Sequence, residues 1–477
     1  MASVTATKVK LGPLGTAIDA APTRTLAAFA ADLSFSNVPG PVVEKAKALL
    51  LDYLGTAVAV VHEDPAQRLI RFARAVGGPA DSRIFGAGVS VAAPWAALVN
   101  GALGHMAELD DTHRGTMSHP GDAIWAAALA VGEKTHASGA EVLNAGIAGY
   151  EVALRIGEAA MPDHWRRGWH TSGTLMSFGA AIAAGVLLKL DRTAMAWALG
   201  IAGAQASGNF AHLEDRAMTK DFNCGHAAKS GVISAMLAQE GFTGPSNVVE
   251  SPRGFLALYS ADRHPERLTL GLGTAWRMLE VAQKPYSSCR FIHASMDAAL
   301  ALQHEFGISA ASITRVKARI FAAGAAIVNE PAPWEGDKGL QGTRFSAQFN
   351  LAVALLHGRK GIADLLDPQW PLRYRDAPEL RAFMTKIEVI PDASLDLVFP
   401  EQPSIVDIEL TDGTIHNRKV SFPLGDPESP LDHAALSEKF RRLTALAGWN
   451  DDKATSFIDL ATRLDQEKSL DRLLSFL

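Results

Sequence analysis

The chain has 477 residues, and 45 Lys and Arg against 51 Asp and Glu give a formal net charge of −6. At about 150 residues per domain this length predicts two or three domain-sized units, with ample apolar sequence for a large core. The mild acidity, without a Lys/Arg cluster, excludes nucleic-acid binding as a main role. Two cysteines, Cys224 and Cys289, exclude a disulfide framework and suit a reducing cytoplasm.

The sequence predicts neither export nor membrane insertion. Residues 1–10 have no apolar core of the kind that marks a secretory signal. The longest apolar stretch, residues 175–188, is too short and too rich in Gly and Ala to span a bilayer. We therefore expect a soluble, cytoplasmic protein.

The first 280 residues have mostly helical patterning. Apolar residues recur at helical spacing over residues 43–61, 92–109, 123–135, 139–160, 173–188, 192–207 and 225–240. These segments are rich in Ala and Gly, which let helices approach closely. The sequence therefore predicts a compact helical bundle.

The pattern changes after residue 284. Polar and apolar residues alternate, as in half-buried strands, over residues 315–320, 386–390 and 404–410, and Asp412-Gly413 predicts a hairpin into a strand over 414–422. Helical segments lie between these strands at 294–305 and 346–357, and helix returns from residue 431. We predict a mostly α protein with a large helical domain, residues 1–282 and 426–477, and an inserted α+β domain, residues 283–425.

Four polar segments lie next to apolar helices and hold the candidate functional residues. The first, residues 108–122, contains two His, one Arg and four carboxylates. Either it is a solvated acidic loop or its side chains act on a ligand. A divalent metal could use Asp110, Asp111, His113 and His119, but no helical pair of His supports such a site, so we predict no metal.

The second polar segment, residues 166–173, places His170 just before a helix, where free backbone N–H groups favour carboxylate binding and proton transfer. The alternative is a capping loop whose histidine packs on Trp169. The third and fourth segments, residues 218–226 and 284–293, contribute Lys220 and Lys284. Together these cations and histidines predict a pocket for a small, multiply negative molecule, and Cys289 is more consistent with a packed thiol than with a nucleophile.

The four polar segments, taken together and in their order along the chain, resemble those of the MmgE/PrpD family. Members of this family include 2-methylcitrate dehydratase, cis-aconitate decarboxylase and iminodisuccinate epimerase. The resemblance spans most of the chain and is carried by ELDDTH and HPGD, GWHTSGT, TKDFNCGHAAKSG, KPYSSCRFIHASMDA, RFSAQFNLAVALLHG and ELTDGT. It implies a large all-helical domain, a smaller α+β lid domain, a homodimer, and carbon chemistry without a metal or organic cofactor.

The resemblance also assigns site residues. The catalytic positions that it implies are Asp110, Asp111, Thr112, His119, His170 and Lys220. Lys284 is implied to bind substrate, and we add as substrate-binding candidates Glu108, His113, Arg114, Tyr286, Cys289 and His293. Glu108 occupies a position where some members carry Asp, and His113 and Arg114 are candidates for substrate selectivity.

The residues fit the chemistry that the family carries out. Elimination, decarboxylation and epimerisation all pass through a carbanion or enolate-like species, which needs an acid or base near neutrality and fixed positive charge. We therefore predict a cofactor-independent lyase that removes water or CO₂ from a small di- or tricarboxylate. The alternatives are an epimerase or isomerase of a dicarboxylate such as iminodisuccinate, and a non-catalytic carboxylate-binding protein.

Overall fold

A computed structural model describes residues 21–334, 339–364, 367, 374 and 377–477. The α-helices before residue 290 are α1 Pro22–Asp32, α2 Gly40–Ala59, α3 Asp64–Val76, α4 Ala93–Met106, α5 Gly121–Lys134, α6 Gly139–Ala160, α7 Asp163–Arg166, α8 Thr171–Leu187, α9 Arg192–Gly203, α10 His212–Asp215, α11 Thr219–Gln239 and α12 Phe255–Tyr259. A short hairpin, β1 Ser82–Ile84 and β2 Val89–Val91, lies between α3 and α4. Among the described residues, no helix combines the length and apolar character needed to cross a membrane.

The second half contains a four-stranded sheet with its own helices. Its strands are β3 Ile313–Phe321, β4 Ile387–Asp392, β5 Ser404–Leu410 and β6 Ile415–Val420, and its helices are α13 Arg290–Phe306, α14 Ala322–Val328, α15 Gly339–Arg344, α16 Ala347–Asp364 and α17 Pro378–Met384. The sheet order is β4-β3-β5-β6, with β3 and β4 parallel and the other pairs antiparallel. We call residues 286–420 the α+β unit.

The chain ends in three further helices, α18 His433–Leu446, α19 Asp451–Thr462 and α20 Asp471–Leu474. They pack onto the N-terminal helices, because one hydrophobic core includes buried residues from Leu26 to Val281 and again from Leu436 to Leu474. A second core, from Tyr286 to Ile408, belongs to the α+β unit. The described chain is thus mostly α, as the sequence predicted.

Helix boundaries follow the apolar periodicity closely in the centre of the bundle. The helix predicted over residues 139–160 is α6, and Ser138 begins it with a capping box: its hydroxyl accepts from the Glu141 N–H, and the Glu141 carboxylate accepts from the Ser138 N–H. Helix α11 begins at Thr219, six residues before the predicted start at residue 225, because its polar first turn interrupts the apolar pattern. The β1–β2 hairpin was not predicted, since strands of three residues are too short to show alternation.

Candidate active site

A cavity of about 60 Å³ lies between the N-terminal helices and the α+β unit. Its polar lining consists of His105, Glu108, His119, His170, Thr171, Ser172, His212 and Lys220. The remaining lining consists of Met117, Trp165, Phe210, Leu213, Cys289, Phe291, Ile327 and Phe345. A much larger cleft of about 1070 Å³ is lined mainly by residues of α13 and α18, but of the predicted site residues it holds only Tyr286. The smaller cavity is therefore the candidate active site.

Close packing of α4 against α11 brings two functional side chains together. A Cβ atom at Gly225 of α11 would lie 2.1 Å from the Leu98 carbonyl oxygen of α4, so glycine is required at this crossing. At one end of this crossing, Lys220 lies in the first turn of α11 and His105 in the last turn of α4. The Lys220 ammonium donates to His105 Nε2 over 2.8 Å. The imidazole is therefore an acceptor at Nε2.

Glu108 lies between the two predicted lysines. Its backbone has a φ of 53°, in the left-handed region that side chains rarely adopt, at the turn after α4. One carboxylate oxygen pairs with Lys220, and the other accepts from Lys284 Nζ over 3.0 Å. Burial opposes ionisation, but Lys220 and Lys284 hold the pKa of Glu108 well below its usual range. Glu108 is therefore ionised and neutralises cations within the site.

An isolated antiparallel bridge between two residues positions Lys284 beside this cluster. Thr112 and Ala282 exchange two backbone hydrogen bonds, of 2.9 and 2.7 Å, which hold the strand before Lys284 against the polar loop. The Lys284 side chain is fully buried and lies 3.4 Å from Asp110 Oδ1. Burial lowers its pKa, but Asp110 and Glu108 raise it more, so the net pKa lies above the usual lysine value. Lys284 thus stays charged behind the cavity wall.

Asp110 orients two histidines. His105 Nδ1 and His119 Nδ1 each lie 2.7 Å from Asp110 Oδ2. Burial and then Lys220 lower the pKa of His105 to about 3, so His105 is neutral and donates its Nδ1 proton to Asp110. Despite burial, His119, Lys284 and His105 keep the pKa of Asp110 well below its usual range. The charged Asp110 thus favours the tautomer of His119 that carries its proton on Nδ1.

His170 immediately precedes α8 and acts as its N-cap. Its Nδ1 accepts from the Gly173 N–H over 3.3 Å, which assigns the remaining proton of the neutral ring to Nε2. Burial, followed by the proximity of His105, lowers the pKa of His170 well below its usual value. The ring lies 5.7 Å from His105 and 5.4 Å from Phe210, measured between centroids. A neutral imidazole with an Nε2–H is a proton donor.

Several predicted residues lie outside this cavity. Asp111 is buried beneath it, where it accepts from the Gly121 N–H over 2.8 Å and the Tyr150 hydroxyl over 2.6 Å. Tyr286 donates to Asp297 on the side of the larger cleft. His293 is fully buried and hydrogen-bonds Arg290 and the Ser288 carbonyl. Cys289 does lie on the lining, and burial raises the pKa of its thiol to about 12, so it is not a thiolate.

Thr112, His113 and Arg114 lie on a second cavity that adjoins the first. Met117, His119, Cys289 and Phe291 line both cavities. Arg114 donates to Glu428 over 2.8 Å, and His113 Nδ1 lies 3.0 Å from the Thr116 hydroxyl. These three residues therefore lie on the cavity next to the histidine cluster and not within the cluster.

Sequence reasoning missed three residues of the cluster: His105, Asp122 and His212. His105 was concealed inside an apolar helix, although an imidazole on an otherwise apolar helix is itself a signal. Asp122 lies 3.2 Å from His105 Nδ1, and burial together with Asp110 raises its pKa well above the usual value. His212 lies 5.5 Å from His170, between ring centroids, and burial lowers its pKa to about 4.

The donor groups of His105, Asp110 and His119 lie close enough together to bind a metal ion. However, His105 already accepts from an ammonium at one nitrogen and donates to Asp110 from the other. Lys284 adds a second fixed cation beside Asp110. This arrangement uses the ligand atoms for hydrogen bonds and opposes a divalent cation electrostatically.

Fold and site together define a two-part, mostly helical protein with a histidine- and lysine-lined cavity where its parts meet. The MmgE/PrpD N-terminal domain matches residues 24–268 and the MmgE/PrpD C-terminal domain matches residues 286–466, so the chain belongs to the MmgE/PrpD family. It is 27% identical to a cis-aconitate decarboxylase of Aspergillus terreus, over 94% of each chain. It is also 26% identical to human cis-aconitate decarboxylase, over 91% of this chain and 89% of the relative.

Proposed function

We propose that this protein is a cofactor-independent lyase that removes CO₂ or water from a small di- or tricarboxylate. The proposal rests on one observation, the convergence of His105, His119 and His170 with Lys220 in a single cavity. It is supported by the similarity over nearly full length to cis-aconitate decarboxylases. The site residues and the reaction follow as parts of the same proposal.

Lys220 holds a substrate carboxylate and the negative charge that develops beside it. Burial lowers its pKa, but Glu108 and Asp221 raise it further, so the ammonium stays protonated. The N-terminus of α8, with Thr171 and Ser172 on the cavity lining, adds N–H groups that favour an anion. In a site closed to water, these groups stabilise an enolate-like intermediate more strongly than solvent does.

His170 supplies the proton. In decarboxylation, the bond between the carbon skeleton and one carboxylate breaks, CO₂ leaves, and the electron pair spreads into the adjacent unsaturated system. The Nε2–H of His170 then protonates the carbon, which leaves an imidazolate, and solvent returns a proton to that ring. This step requires a proton on Nε2, as the hydrogen bond from Gly173 assigns it.

His119 serves as the base where a C–H proton must be removed. The charged Asp110 carboxylate lies 2.7 Å from His119 Nδ1 and favours the proton on that nitrogen, so Nε2 can accept a proton from carbon during loss of water or epimerisation. A decarboxylase needs His119 less, because no C–H bond breaks. The effect of removing His119 therefore separates the two lyase reactions.

The test is turnover of cis-aconitate, 2-methylcitrate and iminodisuccinate in D₂O, followed by NMR. Decarboxylation releases CO₂ and places one deuteron on carbon, dehydration yields an alkene, and epimerisation exchanges a proton without loss of mass. His170→Gln serves as the control for background reaction. If the folded wild-type protein turns over no carboxylate of this panel, the lyase proposal fails, and binding of these compounds in calorimetry would then support the carboxylate-binding alternative.

A further inference from the structure

Arg216 is a buried cation with open hydrogen-bond donors beside the candidate active site. Its side chain is 9% exposed, and among the described residues neither Nε nor Nη1 has a hydrogen-bond partner. Its Nη2 lies 3.7 Å from a carboxylate oxygen of Glu330, which is an ion-pair distance but too long for a hydrogen bond. Buried donors without a partner cost free energy, because burial removes the water that would satisfy them. A ligand that accepts from these nitrogens would offset that cost.

The backbone at Arg216 lies in a region that side chains rarely adopt. Its φ is 58° and its ψ is 36°, which is the left-handed conformation. Arg216 ends the short helix α10, whose first residue, His212, lines the active-site cavity. A strained residue of this kind persists only where the surrounding structure holds it, and such residues cluster at ligand sites. Glu108, within the site, has the same type of backbone conformation.

Arg216 and Lys220 lie over the same aromatic ring. The centroid of the Phe345 ring is 5.2 Å from the guanidinium carbon of Arg216 and 6.0 Å from Lys220 Nζ. Phe345 and Lys220 both line the active-site cavity. The charge of Arg216 also acts on that lining: burial, then Lys220, lower the pKa of His212 to about 4, and Arg216 lowers it further. Two cations beside one ring are close enough for the carboxylates of one small molecule to contact both.

The guanidinium lines a second cavity, of about 210 Å³. The linings of the two cavities contain residues that are neighbours in sequence, Lys220 and Phe345 in the first and Asp221 and Arg344 in the second. Asp221 lies 3.8 Å from Lys220, and Arg344 donates to the last backbone carbonyl of α4. Arg216 is therefore positioned to contact a group that extends from the active-site cavity past the Phe345 ring.

We infer that Arg216 is a specificity-determining residue that binds the third carboxylate of a tricarboxylate substrate. The first carboxylate binds Lys220 and the N-terminus of α8, and the second lies at the reacting carbon among the histidines. Hydrogen bonds from a guanidinium to a carboxylate are about twice as strong as those between neutral groups. This inference rests on the proposed function and specifies the substrate class of the same site.

A matched pair of unreactive ligands tests the inference on the wild-type protein. Tricarballylate carries three carboxylates on a saturated three-carbon chain, and 2-methylsuccinate has a methyl group in place of one of its carboxymethyl groups. Calorimetry at pH 7.5 should give a Kd for tricarballylate that is at least about tenfold lower, because the third carboxylate gains a charged partner. Equal affinity for the two ligands would overturn the inference.

Removal of the guanidinium provides the second test. Arg216→Met keeps an unbranched apolar stem, and the preference for tricarballylate should fall by at least about tenfold. The Kd of 2-methylsuccinate should stay within about threefold of wild type. Arg192→Met is the matched control, because it removes an exposed cation that is paired with Asp32 and lines neither cavity. This control should keep the wild-type preference.

A purely structural role for Arg216 gives a different result. If Arg216 only ties its loop to Phe345 and Glu330, folded Arg216→Met would have a lower melting temperature and an unchanged preference for tricarballylate, which would overturn the inference. Should Arg216→Met not fold, Arg216→Gln provides the same comparison, because it keeps a hydrogen-bond donor and removes only the charge. An unchanged preference in folded Arg216→Gln would likewise overturn the inference.

Initial rates separate this inference from the proposed function. For a tricarboxylate that the wild type turns over, Arg216→Met should raise KM more than it lowers kcat, because the lost contact is already made in the bound substrate. Loss of the tricarballylate preference in Arg216→Met, without turnover of any carboxylate by the wild type, would support the inference and count against a lyase. Turnover together with an unchanged preference would overturn the inference and leave the lyase proposal standing.

Discussion

Replacement of His170 by Gln tests the central chemical assignment. The side chain is 4% exposed and its ring contacts Phe210 and His212, so Gln keeps much of the volume and can still donate a hydrogen bond. Gln cannot transfer a proton to carbon. We therefore expect kcat to fall by about 10²–10⁴-fold, the usual contribution of a general acid. This loss corresponds to about 2.7–5.5 kcal/mol in the activation free energy.

The effect of His170→Gln on stability should be small by comparison. The substitution removes one acceptor, for the Gly173 N–H, which contributes about 1 kcal/mol. Thermal unfolding by circular dichroism and light scattering should show a folded variant in the wild-type oligomeric state. Initial rates at saturating substrate, measured on the same samples, then give kcat.

His164→Gln is the matched control. His164 is also buried and next to α8, but it hydrogen-bonds Thr174 over 2.7 Å and does not line the cavity. It should lower the melting temperature while kcat of the folded protein stays within about threefold of wild type. If folded His170→Gln keeps more than about a tenth of wild-type kcat, the acid assignment is refuted and the role passes to His119.

Four further predictions concern the buried charges, a metal requirement and the oligomeric state. Lys284→Met should destabilise the protein by about 3–5 kcal/mol in chemical denaturation, because Glu108 and Asp110 lose a buried cation; an unchanged midpoint would contradict the buried charge cluster. Burial raises the pKa of Asp111 to about 7, so the folded state binds more protons than the unfolded state from about pH 4 to pH 7, and stability falls as pH rises. Over this pH range, Asp111→Asn should reduce the slope of the unfolding free energy against pH by the equivalent of at most one bound proton. An unaltered slope would count against the shifted pKa. Prolonged EDTA treatment should leave turnover unchanged, whereas a loss restored by one divalent cation would make His105, Asp110 and His119 a metal site. Light scattering should give a homodimer of 50.6 kDa subunits, and a monomer at micromolar concentration would refute it.

The sequence by itself determined most of the helices of the bundle and the strands of the sheet, although the helices α1 and α3 were not predicted. Apolar residues every three to four positions define a helix wherever the chain buries one face, so α6 was predicted with its observed ends. Alternation located β5 at residues 404–410 for the same reason. The polar segments that carry Lys220 and His170 were also visible, because charged and polar residues stand out between apolar helices.

Tertiary structure alone decided which of these polar residues share a cavity. Asp110 and Asp111 are neighbours in sequence, yet one faces the histidines and the other caps the start of α5 and binds Tyr150. His105 lies in an apolar helix and was not predicted from the sequence. The close packing of α11 against α4 at Gly225 places Lys220 beside it. Burial and charge pairing are properties of the folded chain, and they set the protonation states on which the proposed chemistry depends.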